Sequence, residues 1–261
     1  MKVKEAIILA GGLGTRLRSA VPELPKCMAP VNDIPFIDFV LAYLQKEGIT
    51  KFIFSLGYKS EVIIQHLDEH YGSLNKSYVV EQESLGTGGA IKLACTKATE
   101  RNALIVNGDT LFDVNLSTLS SFHFNSQSHC SIALKEMKDF SRYGSIETNV
   151  DGAITMFKEK QYCSEGFING GIYLLNIEAF NKINFSEVFS FEKDFLEQHI
   201  KQLHFFALPQ NGYFIDIGIP EDYDAFKHHY LSFVQKIKQQ VSPEWNMFAA
   251  FINSISKFLP A

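Results

Sequence analysis

Leu9-Ala10-Gly11-Gly12-Leu13-Gly14-Thr15-Arg16-Leu17 is the stretch on which the fold turns. Residues 6–10 read as a buried strand, and the glycines at 11, 12 and 14 end it in a tight turn. Two readings of that turn stand side by side. It is a bare tight turn, or its successive backbone N–H groups cradle a phosphate while Arg16 adds a bidentate cation. It is not a Walker A loop, because no Gly-Lys-Ser/Thr follows. Leu17 also stands where a dinucleotide fingerprint needs its last glycine. Pro25-Lys26 then places a second cation in a rigid setting that Pro30 closes.

Outward from this turn, apolar runs alternate with helical patterns. Residues 34–46 carry Phe36, Ile37, Val40, Leu41 and Leu44 at helical spacing and stop at Gly48. A strand at 51–56, a helix opening at Ser60, a strand at 77–80, a helix at 88–98 and a strand at 103–106 follow. This alternation predicts a parallel, doubly wound sheet with helices on both faces. The second half is richer in strands, at 131–135, 144–148, 153–158, 171–175, 203–208 and 213–216, with an Asp151-Gly152 hairpin signal. A helix starts at Pro220. The expected architecture is one α/β domain over 1–240, a mostly parallel mixed sheet with an antiparallel excursion in the second half. Residues 241–261 are expected to form an amphipathic helical appendage. Phe248, Phe251, Ile252, Ile255, Phe258 and Leu259 share one helical face, to be covered by the domain or by a second subunit of a homodimer.

Composition narrows the function classes. Hydrophobic residues make up 46% and charged residues 20%, the balance of a globular domain. Lys and Arg number 24 against 29 Asp and Glu, a net charge of −5. That disfavours a nucleic-acid surface, so an anionic substrate would be held by a few placed cations. No apolar run is long enough to span a membrane, and the start reads as no signal peptide. Cys27, Cys95, Cys130 and Cys163 are scattered and read as reduced thiols, which places the protein in the cytoplasm.

Gly11-Gly12-Leu13-Gly14-Thr15-Arg16-Leu17 followed by Pro25-Lys26 resembles the signature of the sugar-1-phosphate nucleotidylyltransferases. The likeness runs along most of the chain. Leu85-Gly86-Thr87-Gly88-Gly89-Ala90 is similar to that family's second glycine loop, and Asn107-Gly108-Asp109 to its metal-binding element. Phe157-Lys158-Glu159-Lys160 and Asn169-Gly170-Gly171-Ile172-Tyr173 resemble its sugar-phosphate elements. Tyr213-Phe214-Ile215-Asp216-Ile217-Gly218, with Pro220-Glu221-Asp222-Tyr223, resembles its last motif. Pro25-Lys26-Cys27-Met28-Ala29-Pro30-Val31 departs from the usual Pro-Lys-Pro and looks like the guanylyltransferases that act on D-glycero-α-D-manno-heptose 1-phosphate.

The resemblance implies a Rossmann-like, three-layer, GT-A-like fold. It implies that Gly11, Gly12, Gly14, Thr15, Arg16 and Lys26 hold the triphosphate of GTP, and that Glu81 and Gly86 contact the base. Gly144, Glu159, Lys160 and Asn169 would hold a sugar 1-phosphate, and Asp109 and Asp216 would bind Mg²⁺. Arg16, Lys26, Asp109 and Asp216 would form the catalytic set, serving lipopolysaccharide or capsule precursors. The residue types suit that chemistry. A phosphate monoester is largely ionised at neutral pH, since its second pKa lies near ~6, so no general base is required. The obstacle is bringing one anion to another, which cations and Mg²⁺ overcome. Strand-end carboxylates lie where open α/β sheets bind ligands.

Rival readings remain open at this stage. Mannose 1-phosphate, or UTP with another hexose phosphate, would satisfy the same motifs. A non-catalytic regulatory subunit would be expected to have lost Arg16, Lys26, Asp109, Lys160 or Asp216. A metal-dependent glycosyltransferase would carry Asp-x-Asp where this chain has Asn107-Gly108-Asp109. His66-Leu67-Asp68-Glu69-His70 fits the H-x-x-E-H pattern, set against two solvated histidines at an exposed helix end.

Overall fold

Strands of the parallel half are apolar on both faces because helices cover both sides of the sheet they build. The computed structural model describes residues 2–158 and 160–240. The first half comprises β1 (Glu5–Ala10), β2 (Pro30–Val31), β3 (Ile34–Pro35), α1 (Phe36–Lys46), β4 (Lys51–Leu56) and α2 (Ser60–His70). It continues with β5 (Lys76–Val80), α3 (Gly86–Cys95), β6 (Asn102–Asn107), β7 (Thr110–Phe112) and α4 (Leu116–Asn125). The second half holds β8 (Cys130–Phe140), β9 (Ser145–Thr148), β10 (Ile154–Lys158), β11 (Cys163–Asn176) and α5 (Ile177–Asn181). A π-helical turn (Phe191–Glu197), β12 (Phe205–Gln210), β13 (Phe214–Asp216) and α6 (Pro220–Gln240) complete it.

Among the described residues nine strands form the main mixed sheet, whose continuous path runs β10-β9-β11-β6-β1-β4-β5, with β8 and β12 beyond β11. β6, β1, β4 and β5 are parallel, and β11 joins β6 and β8 antiparallel. The alternation of a strand sends Ala6 and Ile8 of β1 into one core and Ile7 into the other. Phe52 and Phe54 of β4 enter the first core and Ile53 the second. The first core lies under α1, α2 and α6, the second under α3, α5 and the π turn. This is the three-layer α/β arrangement expected.

Several boundaries differ from expectation for local reasons. The helix expected over 34–46 begins at Phe36, because Asn32 and Asp33 (φ 48° and 64°) turn the chain so that β3 pairs with β2. Strand 131–135 extends to Phe140, and strand 171–175 reaches back to Cys163. The two continue pairing beyond the core, down to Cys163 opposite Phe140. β7, α4, α5 and the π turn were not expected. The appendage expected at 241–261 lies outside the described residues.

Candidate active site

The C-terminal edge of the parallel strands gathers the signature residues. Gly11 follows β1, Glu81 follows β5, and Asp109 lies two residues beyond β6. Gly108 bridges that gap by donating its N–H to the Leu9 carbonyl at 2.8 Å. β13 then pairs antiparallel with β7, setting Asp216 opposite Thr110. A short ribbon thereby has one carboxylate directly before one strand and the other at the end of its partner. α6 packs on α1 by setting Phe226 edge-on against Phe36 and Phe39, each at 5.2 Å, and the same ring stacks on Tyr213, next to β13, at 6.4 Å.

These two carboxylates are unevenly served. Lys26 Nζ donates to Asp109 Oδ2 and pairs with it. Asp216 Oδ1 accepts from the Gly218 N–H at 2.8 Å. Burial pushes the Asp216 pKa up and the charge of Asp109 pushes it further, while the Gly218 N–H, Lys26 and Arg16 pull it back. The donors are oxygens, and no group of three His, Cys, Asp or Glu is gathered among the described residues. Two carboxylates and no closed cage fit a hard divalent ion that keeps water and takes phosphate oxygens.

Two neighbouring cavities meet here, and Asn107 lines both. One, of about 320 Å³, is lined by Gly11, Gly12, Lys26, Glu81, Gly86 and Asp109. The other, of about 400 Å³, is lined by Arg16, Gly144, Lys158, Lys160, Asn169 and Asp216. The groups expected at nucleotide and sugar phosphate therefore separate in space, with one carboxylate in each lining. Arg16 departs from the expected grouping by lining the second cavity, beside Gly218 and Asp216. Gly14 and Thr15 line neither, and Gly14 (φ 62°) packs on the Lys26 stem. Lys160 lies beyond the end of β10 at a bend. Glu159 lies outside the described residues.

Close packing explains the glycines. A Cβ on Gly11 would lie 2.7 Å from Glu81 Oε1, so the carboxylate sits directly on the first glycine turn. Glu81 Oε2 accepts from the Leu85 N–H at 2.9 Å, and burial raises its pKa. Gly86 (φ 70°) would set a Cβ 2.5 Å from the Phe189 carbonyl, which also accepts the Gly88 N–H at 3.0 Å. β11 crosses the site through a register shift between Asn169 and Tyr173, where Gly171 takes a φ of 73° next to Asn107.

Sequence reasoning missed several cavity residues. Arg142 lines the second cavity, bonded to Asp222 at 2.6 Å, and Tyr143 stands beside it. Thr87 lines the first cavity, and Glu192 and Lys193 of the π turn line the second. Ser190 followed by Phe191-Glu192-Lys193-Asp194 was a readable helix-start signal for that turn. The expectation of two solvated histidines is corrected for His66 alone: its ring stacks on the exposed His70 at 4.6 Å, and its Nε2 bonds Asp38 Oδ1 at 2.7 Å. That pair fastens α2 to α1, away from both cavities.

Residues 5–232 match the nucleotidyl transferase family, and the chain belongs to it. Among particular relatives, it is 51% identical to the D-glycero-alpha-D-manno-heptose 1-phosphate guanylyltransferase of Aneurinibacillus thermoaerophilus, over 84% of this chain and 95% of that one. It is 46% identical to the enzyme of the same name from Campylobacter jejuni subsp. jejuni serotype O:2, over 85% of this chain and 98% of that one. The crystal structure of HddC from Yersinia pseudotuberculosis superposes with a TM-score of 0.79 at 35% identity, covering 87% of this chain and all of that one. HddC has also been solved in complex with GMP-PN, with a TM-score of 0.78. Nucleotidyl transfer is thus the chemistry of the family to which this chain belongs.

Proposed function

We propose that this protein transfers GMP from GTP to D-glycero-α-D-manno-heptose 1-phosphate, releasing pyrophosphate. The observation that carries the reading is that two cavities share Asn107, with Asp109 in the lining of one and Asp216 in the lining of the other. Near-full-length relatives at 51% and 46% identity support the heptose and the guanine. A phosphate oxygen of the sugar attacks the α-phosphorus, and the bond from that phosphorus to the pyrophosphate oxygen breaks. The attacking phosphate is already ionised, so no histidine has to take a proton. Gly11, Gly12 and Lys26 hold the triphosphate in the first cavity, and Gly144, Lys160 and Asn169 hold the sugar phosphate in the second. Arg16 faces the place where the two charges approach. Asp109 and Asp216 would hold Mg²⁺, which when bound neutralises phosphate charge. Glu81 reads guanine, because a carboxylate can accept from both N1–H and the N2 amine.

The reading extends to a cytoplasmic enzyme supplying lipopolysaccharide or capsule precursors, and to a homodimer. The scattered free cysteines support the compartment, and the spacing of apolar residues in the sequence over 248–259 supports a second subunit. Among the described residues no helix is long and apolar enough to cross a membrane. Four nucleoside triphosphates set against several sugar 1-phosphates, followed by pyrophosphate release, test the reaction. GTP with the heptose phosphate should lead, and Glu81→Gln should reduce GTP use far more than UTP use. A wild type that prefers UTP, or equal losses for every nucleotide, would overturn the assignment.

A further inference from the structure

Glu192 lines the second cavity and is bonded across to Thr87, which lines the first. Its Oε2 accepts from Thr87 Oγ1 at 2.8 Å and from Ser190 Oγ at 3.2 Å, and its Oε1 accepts from the Tyr173 hydroxyl at 3.2 Å. Each of those hydroxyls already accepts from a fixed N–H. Phe191 N donates to Thr87 Oγ1 at 2.9 Å, Lys193 N to Ser190 Oγ at 3.2 Å, and Asn169 Nδ2 to the Tyr173 hydroxyl at 2.9 Å. Their protons are therefore all directed at Glu192. Three donors converging on one group require an acceptor-only carboxylate, because an amide would turn its own N–H on one of them.

The two ends of this network lie in different cavities. Thr87 lines the first and stands in the opening turn of α3, directly after Gly86. Asn169 lines the second, and its Oδ1 accepts the Gly171 N–H at 3.0 Å. With Oδ1 so engaged and one N–H given to Tyr173, the amide orientation is set and one N–H is left for a ligand. We propose that Glu192 is the positioning residue of both subsites. It holds Asn169 through Tyr173 for the sugar phosphate and the Gly86–Thr87 turn for the nucleotide. The proposal rests on the two-cavity reading of the reaction but not on which base or sugar is used.

Steady-state kinetics and calorimetric binding on four variants test it, with GTP and with whichever sugar 1-phosphate the wild type binds most tightly. Glu192→Gln should raise KM and Kd for both substrates by roughly tenfold, with a smaller change in kcat. Tyr173→Phe should weaken only the sugar phosphate, and Thr87→Val only the nucleotide. Thr87→Ser keeps the hydroxyl and should restore the wild-type values. Unchanged affinities in a Glu192→Gln protein that merely melts earlier would overturn the proposal. So would Tyr173→Phe and Thr87→Val acting on the same substrate, or Thr87→Ser failing to restore binding. If the wild type prefers another nucleotide, the guanylyl reading falls, and the same four variants measured with that nucleotide still decide the role of Glu192.

Discussion

β1 has a carboxylate environment at each end, and the two are built in opposite ways. At its start, Glu5 is fully buried and accepts from Thr99 N at 3.1 Å and Glu100 N at 2.9 Å, with Lys51 Nζ at 2.5 Å. At its far end, Asp109 and Asp216 approach each other, with Lys26 bonded to one and a single backbone N–H to the other. The first arrangement closes on itself. In the second, burial first and the Asp109 charge second raise the Asp216 pKa despite Lys26 and Arg16. A buried carboxylate with a full set of donors holds the fold together. A partly buried pair with few direct donors has capacity for a ligand, and it lies at the strand ends where such sheets bind one.

That contrast can be broken by experiment. Asp216→Asn should lower turnover by roughly 10²–10³-fold while leaving the metal-free protein as stable as before or a few degrees more so, since the substitution relieves carboxylate repulsion. Activity assays beside thermal melts in a chelator decide it, and a melting point that falls would place Asp216 with Glu5. Glu5→Gln should do the reverse. Stability should fall by about 3 kcal/mol in denaturant titration, with turnover per folded molecule unchanged.

A pH titration sharpens the comparison at the same structural edge. His123 bonds Ser131 Oγ at 2.9 Å and Asn102 Oδ1 at 3.1 Å. Burial first, and His129 second, depress its pKa to about 4 from an ordinary 6.5. Its folded value is the lower one, so its contribution is whole above 6.5 and is lost as pH falls toward 4. The loss amounts to roughly 2–3 kcal/mol. Urea midpoints across that range should decline with acid, and His123→Gln should flatten the slope. The smallest effect belongs to Arg142, whose side chain is 43% exposed and paired with Asp222. Arg142→Ala should raise KM for the sugar phosphate only severalfold, since exposed ion pairs are weak.

The sequence was legible where structure is local. β1, β4 and β6 are apolar runs stopped by turn residues, because burial on both faces removes polar positions from them. Asp109 and Asp216 could be picked out as strand ends, although nothing nearby in sequence says that β13 returns to β7. The outer halves of β8 and β11 were invisible. Lys-Glu-Met-Lys-Asp and Cys-Ser-Glu-Gly lie largely outside the two cores, and each is a strand only because the other lies beside it. Glu192 was hidden for the same reason. Its role depends on Thr87, 105 residues away, and a charged residue in a phenylalanine-rich run reads as solvent-facing. Arg16 shows the limit in reverse: the glycine loop placed it near phosphate, and only tertiary packing decided which cavity it lines.

The β7–β13 ribbon has a consequence for the making of the protein. On a ribosome, β7, directly after Asp109, emerges long before β13, which carries Asp216, and the two strands cannot pair until the later one has been made. Contacts that span so much chain close late, because loop entropy must be overcome first. A growing chain therefore completes its glycine turn early but can assemble neither its full carboxylate pair nor the floor of its second cavity. The pair of carboxylates is completed only once residue 216 has been made, when the strands and helices of the first half are already there to position it.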